Sequence, residues 1–255
     1  MDLDHVRELP APGDVGLWLV RTDAGTGDGA GILDAEELRR AASFAFDRHR
    51  LRYVNAHLAL RGILARHVGR APAALRFVRE RCPGCGAPHG RPALADAPPD
   101  VHFSLSHSGD LALVALAATP VGADVEELTP AATADELTSV LHPRERAELA
   151  ALSDPAERGL AMSRAWVRKE AYLKGIGTGL SRATDLDYVG TLPDAPGAPD
   201  GWSVRDVPVP QGYAAAVAYK VPSSVPSDVP SDVSSSVPSD VPSDVSSSVP
   251  SRVSN

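Results

Sequence analysis

Cysteine is nearly missing from this chain, with two residues in 255. Two thiols cannot build a disulfide framework, so a reduced, cytoplasmic protein is expected. Positive charge is also short. There are 25 Lys and Arg against 33 Asp and Glu, a formal net charge of −8, so nucleic acid is not an expected partner. Local basic clusters could still hold phosphates. No run approaches the ~20 apolar residues needed to span a bilayer, and the opening stretch MDLDHVRELPAPGD has no apolar signal core. No membrane partner is therefore expected, and the chain is taken as a monomer. What is present is ordinary for a globular protein, 43% hydrophobic and 23% charged residues, and enough for one large domain or two small ones.

The composition changes sharply near the C-terminus. VPSDVPSDVSSS occurs twice in succession, starting at Val225 and Val237. Sequence rich in Pro and Ser cannot bury enough surface to offset its ordering entropy. Residues 221–255 are thus expected to be a disordered tail that leaves the fold to residues 1–220.

The most informative stretch is Trp166 to Leu180, WVRKEAYLKGIGTGL. Asp154, Pro155 and Glu157 supply a helix start, and Gly175, with Gly177 and Gly179 behind it, supplies the stop. At 3.6 residues per turn, Trp166, Glu170 and Lys174 share one face. An exposed i,i+4 Glu–Lys pair would account for them. A second feature weighs against that account. The predicted strand VGADVEEL carries Asp124 and Glu126 two residues apart, so both project from one sheet face while Val121 and Val125 bury the other. Two carboxylates sent the same way repel each other and resist desolvation, and a cation offsets both costs. Water on an exposed strand face would do so too.

Elsewhere, Gly16–Arg21 is predicted as a strand, and Asp34 with Glu37 opens a short helix. A long amphipathic helix is predicted from about Asp47 to His67, with Gly69 as its stop. Arg48 and Arg52 lie four apart on that helix, either a solvated basic face or a guanidinium fork for a phosphate. Leu75–Glu80 is read as a strand, followed by RCPGCGAPHGRP. Cys82, Cys85 and His89 have the spacing of three zinc ligands, but a closed structural site wants four and no other cysteine exists. A tight loop with two buried thiols is the preferred reading. Gly90, Arg91 and Pro92 close the loop and could set backbone and an arginine against a ligand. Val101–Ser106 alternates as a half-buried strand, with His107, Ser108 and Gly109 as the turn and LALVALAA returning as a buried strand. His142–Pro143 opens another helix, and Leu186–Val189, Trp202–Asp206 and Gly212–Tyr219 are predicted strands. Each half then contains a helix with antiparallel strands, which hints at an internal duplication.

Taken in order, these motifs resemble one family, the Sfp-type 4′-phosphopantetheinyl transferases. The resemblance runs through the helix around Arg52, G-R-P at Gly90–Pro92, FSLSHSG at Phe103–Gly109, VGADVE at Val121–Glu126 and WVRKEAYLKGIGTGL. It implies an α+β fold of two similar halves, residues 1–119 and 120–220, related by pseudo-twofold symmetry, with coenzyme A in the cleft between them. It implies that Asp124, Glu126 and Glu170 ligate Mg²⁺, in keeping with magnesium's preference for oxygen donors. Lys174 would neutralise the pyrophosphate, and Ser106 and His107 would line the nucleotide pocket, with Arg52, Gly90, Arg91 and Pro92 beside its phosphates. Lys169 belongs to the same motif but points about 100° away on the helix. One position departs from the family. Where relatives often place a lysine for the 3′-phosphate this chain has Asp47, which leaves that contact to Arg48 or to nothing.

The activity so implied is transfer of 4′-phosphopantetheine from coenzyme A to a serine of an acyl- or peptidyl-carrier protein, with release of 3′,5′-ADP and with Asp124, Glu170 and Lys174 as the catalytic set. Two other classes remain open at this point. A coenzyme A or nucleotide hydrolase would use the same carboxylates and release free phosphopantetheine without a carrier. A zinc-dependent binding module would rest on Cys82, Cys85 and His89 and unfold when a cysteine is replaced.

Overall fold

The computed structural model describes residues 5–11, 14–23, 29–193 and 197–222, and the repeat tail from Ser223 onward lies outside the described residues. The fold is α+β. Strands β1 (Val6–Leu9), β2 (Val15–Arg21), β5 (His102–Ser108) and β6 (Leu111–Ala117) form one antiparallel sheet in the order β1-β2-β6-β5. Strands β3 (Phe77–Arg79) and β4 (Pro92–Leu94) form a small ribbon. Strands β7 (Val121–Glu127), β8 (Trp202–Asp206) and β9 (Tyr213–Lys220) form a third sheet in the order β7-β9-β8. The helices are α1 (Ala35–Ala42), α2 (Asp47–Val68), α3 (Ala131–Leu137), α4 (Pro143–Ala150) and α5 (Pro155–Ile176). No helix among the described residues is long and apolar enough to cross a membrane.

Alternation along the strands assigns their faces. Leu17, Leu19, Leu113, Ala115, Val121, Ala123, Val125 and Val217 form one apolar layer between the first and third sheets. Val20, Ala112, Val114 and Phe103 point the other way, onto Ala56, Ala59, Leu60, Ile63 and Leu64 of α2. The third sheet's outer face, with Ala216, Ala218 and Val204, takes Val167, Ala171 and Leu173 of α5. Each long helix therefore covers a sheet face built from alternate strand residues.

Capping chemistry placed several helices where the sequence did. Asp34 accepts from the Glu36 and Glu37 amides while Glu37 accepts from the Asp34 amide, a complete capping box. Arg61, fully buried on α2, locks this start by pairing with both Asp34 and Glu37. Gly69 ends α2 with a φ of 66°, and Asp154 caps α5.

Three expectations are corrected. Helix α5 ends at Gly177, φ 83°, and Gly175 lies inside it. The β5–β6 turn is Gly109–Asp110, so His107 and Ser108 remain in the strand, opposite Ala112 and Leu111. Gly109 makes this possible with a φ of 52°. Leu186–Val189 is not a strand, because buried side chains take its backbone groups: Lys169 Nζ donates to the Asp187 carbonyl and the Val189 amide donates to Glu145 Oε1.

One half-buried histidine gives the fold a pH dependence. His57 on α2 stacks on Tyr53 with ring centroids 3.9 Å apart, and its Nδ1 lies 2.9 Å from the Tyr53 carbonyl. Burial, helped by His107 and Arg61 and opposed by that carbonyl and by Asp34, lowers its pKa to about 4. Below an unfolded-state pKa of about 6.5 the unfolded chain takes up a proton that the native chain refuses. Stability should therefore fall by roughly 2 kcal/mol between pH 7 and pH 5. Urea denaturation at the two pH values reads this, and in His57→Gln the loss should shrink by that amount. An unchanged slope in the variant would place the titration elsewhere.

Candidate active site

The site begins where α5 crosses β7. A Cβ on Gly122 would lie 2.0 Å from the Ala171 carbonyl oxygen and 2.4 Å from the Gly175 nitrogen. Gly122 of VGADVE is thus explained by backbone packed on backbone, and Gly175 of LKGIG by the Trp202 ring, 2.6 Å from where its Cβ would lie, with the Gly122 nitrogen at 3.3 Å. That approach brings the polar face of α5 over the two carboxylates of β7.

Asp124 is the buried centre, 1% exposed. Its Oδ1 accepts from Ser106 Oγ at 2.7 Å and from Lys174 Nζ at 2.5 Å. Lys174 also donates to Ser106 Oγ at 3.1 Å, closing a triangle. Lys174 therefore reaches across to the strand instead of closing a pair with Glu170 one turn back. Asp124 Oδ2 is buried and has no hydrogen-bond partner among the described residues.

Two more carboxylates face this group. Glu126 and Glu170 are both held above the usual carboxylate range, in each case chiefly by desolvation. For Glu126, a hydrogen bond from Ser108 and the Lys174 charge oppose the shift, and Asp124 and Glu127 add to it. For Glu170, Lys174 opposes it, while Asp124 and Glu126 add to it. Three acids and one ammonium are thus coupled, with negative charge in excess. Among the described residues, only Cys82, Cys85 and His89 are His, Cys or acidic groups with all ligand atoms within 4.8 Å of one another.

The alternating serines of FSLSHS explain how β5 is held against β7. Ser104 Oγ accepts from the Ala123 amide at 3.0 Å, Ser106 Oγ donates to Asp124, and Ser108 Oγ accepts from the Glu127 amide at 3.2 Å. Only Ser106 was singled out from the sequence. The period of two was the signal for Ser104 and Ser108. The same period sends His107 to the opposite face from Ser106. There its pKa is lowered by desolvation and by the charges of Lys174 and Arg40.

The remaining candidates take separate places. Arg52 donates through Nε and Nη2 to Asp110 Oδ1 at the β5–β6 turn, at 2.8 and 2.5 Å. Arg48 is exposed, with its guanidinium 4.9 Å from the Phe46 ring centroid, and no contact joins it to the carboxylates. Asp47 pairs with Arg50. Arg91 donates to Glu80 through Nε and to the Gly175 carbonyl through Nη1, both at 2.9 Å, so it clamps the loop to the end of α5. Gly90 is where the loop meets backbone, since a Cβ there would lie 2.8 Å from the Glu80 carbonyl oxygen, and Pro92 begins β4. Lys169 points inward and pairs with fully buried Glu145 at 2.9 Å.

Sequence reasoning missed the supports of α5. Arg168 is fully buried and binds Asp206 through two nitrogens, at 2.6 and 2.7 Å, and the Gly190 and Leu192 carbonyls. With Lys169–Glu145 it fixes the rotation of α5, and so the direction of Glu170 and Lys174.

Comparison with known proteins identifies the family. Residues 120–210, which hold β7, α5 and most of the third sheet, match the 4′-phosphopantetheinyl transferase superfamily. The 4′-phosphopantetheinyl transferase HetI of Nostoc is 33% identical over 216 residues, covering 80% of this chain and 87% of that protein. A putative 4′-phosphopantetheinyl transferase of Synechocystis is 29% identical over 177 residues, 68% of each chain. The 4′-phosphopantetheinyl transferase Sfp of Bacillus subtilis is 32% identical over 97 residues, covering 38% of this chain and 42% of that protein. The chain belongs to the 4′-phosphopantetheinyl transferase superfamily and is an enzyme of its Sfp type.

Proposed function

We propose that this enzyme transfers 4′-phosphopantetheine from coenzyme A to a serine of an acyl- or peptidyl-carrier protein, depends on Mg²⁺ and releases 3′,5′-ADP. The observation that carries the reading is Asp124 Oδ2, a buried carboxylate oxygen without a partner beside two acids whose burial already resists charge. A hard, oxygen-only donor set of this kind suits magnesium. Asp124 and Glu126 from β7 and Glu170 from α5 would hold the ion. Its chemistry there is neutralisation of pyrophosphate charge and support of in-line attack.

The residues of the chain do the rest. Ser106 fixes the Asp124 carboxylate, and Lys174 brings an ammonium to where the pyrophosphate would lie. Glu170 takes the proton of the carrier serine at a carboxylate oxygen, directly or through a water. Ser106 and His107 flank the nucleotide from the two faces of β5. Gly90, Arg91 and Pro92 border the site through the clamp on Gly175. Residues 1–119 and 120–220 would form two α+β halves related by pseudo-twofold symmetry, a reading supported by α2 and α5, each of 22 residues, covering corresponding sheets. Coenzyme A would lie between the halves.

Mass spectrometry of a carrier protein incubated with enzyme, coenzyme A and Mg²⁺ tests the whole reading. A phosphopantetheine adduct on one serine is expected, and chelation should abolish it. Free phosphopantetheine made without a carrier would instead indicate a hydrolase.

Arg52 is assigned to the 3′-phosphate. Asp110 engages its Nε and Nη2 and leaves Nη1 without a hydrogen bond among the described residues. Charge-assisted contacts of this kind contribute about 1.5–3 kcal/mol. Arg52→Ala should therefore raise KM about 10- to 100-fold for coenzyme A and little for dephospho-coenzyme A. Equal losses on both substrates would remove Arg52 from that phosphate.

A further inference from the structure

The loop between β3 and β4 holds a second cluster that the transfer reaction does not use. We propose that Cys82, Cys85 and His89 bind a zinc-class divalent cation, and that this ion pins the loop to the exit of the catalytic helix.

The cluster is gathered without an evident packing reason. Cys82 is buried, but Cys85 and His89 are exposed, so the expected pair of buried thiols is not what the loop contains. Their ligand atoms nonetheless all lie within 4.8 Å of one another, with Cys85 Sγ 3.0 Å from His89 Nε2. Bonds of about 2.3 Å to sulfur and 2.0 Å to nitrogen place tetrahedral ligand atoms roughly 3.5 Å apart, so little movement would close the cluster on an ion.

The backbone is folded for the same purpose. The Gly86 amide donates to the Cys82 carbonyl at 2.8 Å and the Cys82 amide donates to the Ala87 carbonyl at 2.8 Å, which makes a tight knuckle. Gly86 turns it with a φ of 75°. One hydroxyl, from Ser181, stands beside the Cys82 sulfur. Ser181 Oγ, 3.7 Å from that sulfur, already donates to the Thr178 carbonyl at 2.6 Å. The protein therefore supplies three ligands, and the fourth position falls to solvent on the side where Cys85 and His89 are exposed.

Donor chemistry separates this site from the carboxylates. Two sulfurs and an imidazole suit zinc and other borderline metals, while magnesium prefers oxygen. Its location gives it a consequence. Pro83 lies against Gly177 and Gly84 against Thr178, and Arg91 at the other end of the loop donates to the Gly175 carbonyl. The loop thus grips the last turn of α5, immediately beyond Lys174. An ion at Cys82, Cys85 and His89 would close the loop on itself and keep that grip.

The full-length chain, untagged and purified under reductant without chelator, should contain about one zinc by plasma mass spectrometry. Cys85→Ser and His89→Ala remove exposed side chains and should fold, and each should lose at least nine-tenths of the metal. Co²⁺ added to the chelated wild type should give a thiolate-to-cobalt charge-transfer band that Cys85→Ser lacks, and Mg²⁺ should not compete. Trypsin should cut after Arg81 several-fold faster in the chelated chain. A wild type that holds no zinc and gives no thiolate–cobalt band would overturn the site, as would a Cys85→Ser chain that keeps its metal. Cleavage at Arg81 indifferent to chelation would overturn the pinning.

Discussion

Glu170→Gln is expected to lower kcat about 10²–10⁴-fold, the usual contribution of a positioned base, which is about 2.7–5.4 kcal/mol of barrier. The substitution keeps the side chain's shape and one weak oxygen ligand while removing charge and basicity. If Glu170 acts mainly as the base, coenzyme A should still bind with magnesium and excess metal should restore little. Asp124→Asn supplies the contrast, because it weakens a ligand approaching from β7, and raised Mg²⁺ should recover part of its rate. The acid limb of the wild-type pH profile adds a second readout. Desolvation and the neighbouring Asp124 and Glu126 charges hold the Glu170 carboxyl above its ordinary range. Protons should therefore compete with Mg²⁺ at a higher pH than solvated carboxylates would set, so the magnesium requirement should rise as pH decreases, and Glu170→Gln should lose part of that dependence. Recovery of Glu170→Gln by magnesium would make Glu170 a ligand first. Full activity at ordinary magnesium would leave it neither role.

Much of this site was legible because local rules sufficed. Asp124 and Glu126 share a strand face through the period of two, and Glu170 and Lys174 share a helix face through the period of 3.6. Asp34, His142 and Asp154 announce helix starts through side chains that satisfy the first amides. What sequence order could not supply was which face meets which. Lys174 reaches Asp124, 50 residues away, only because Gly122 and Gly175 let α5 and β7 touch. Gly175 looked like a helix stop because a glycine near a helix end has two uses, a left-handed cap or a close contact. Its neighbours on β7 and β8 decide between them.

The same limit explains the strand expected at Leu186–Val189. Its residue types suit a strand, yet Glu145 and Lys169 bind its backbone groups. Both are buried ionisable residues from distant elements, and no local pattern marks a charge as structural. Arg52 and Arg91 add a further case, since no local pattern names the protein groups that hold them, Asp110 for Arg52 and Glu80 with the Gly175 carbonyl for Arg91.

Gly122→Ala should have the largest effect on the fold of any single methyl group near the site. The new Cβ would lie 2.0 Å from the Ala171 carbonyl oxygen, 2.4 Å from the Gly175 nitrogen and 3.0 Å from the Gly175 Cα. All three are backbone atoms, so no rotamer change relieves the overlap, and α5 has to move off β7. Overpacking of this kind costs about 1–3 kcal/mol or more, which for a fold of this size lowers Tm by roughly 2–4 °C per kcal/mol. The displaced helix carries Glu170 and Lys174 away from Asp124, and an error of about 1 Å at a reacting centre costs on the order of 10²-fold in rate. The variant should therefore lose activity out of proportion to its stability, at a temperature where circular dichroism shows it still folded. Asp124→Asn should separate the two effects, since it disturbs metal binding while leaving the helix seated. A Gly122→Ala enzyme with unchanged Tm and transfer rate would show that α5 and β7 do not approach this closely, and the site built on their contact would have to be redrawn.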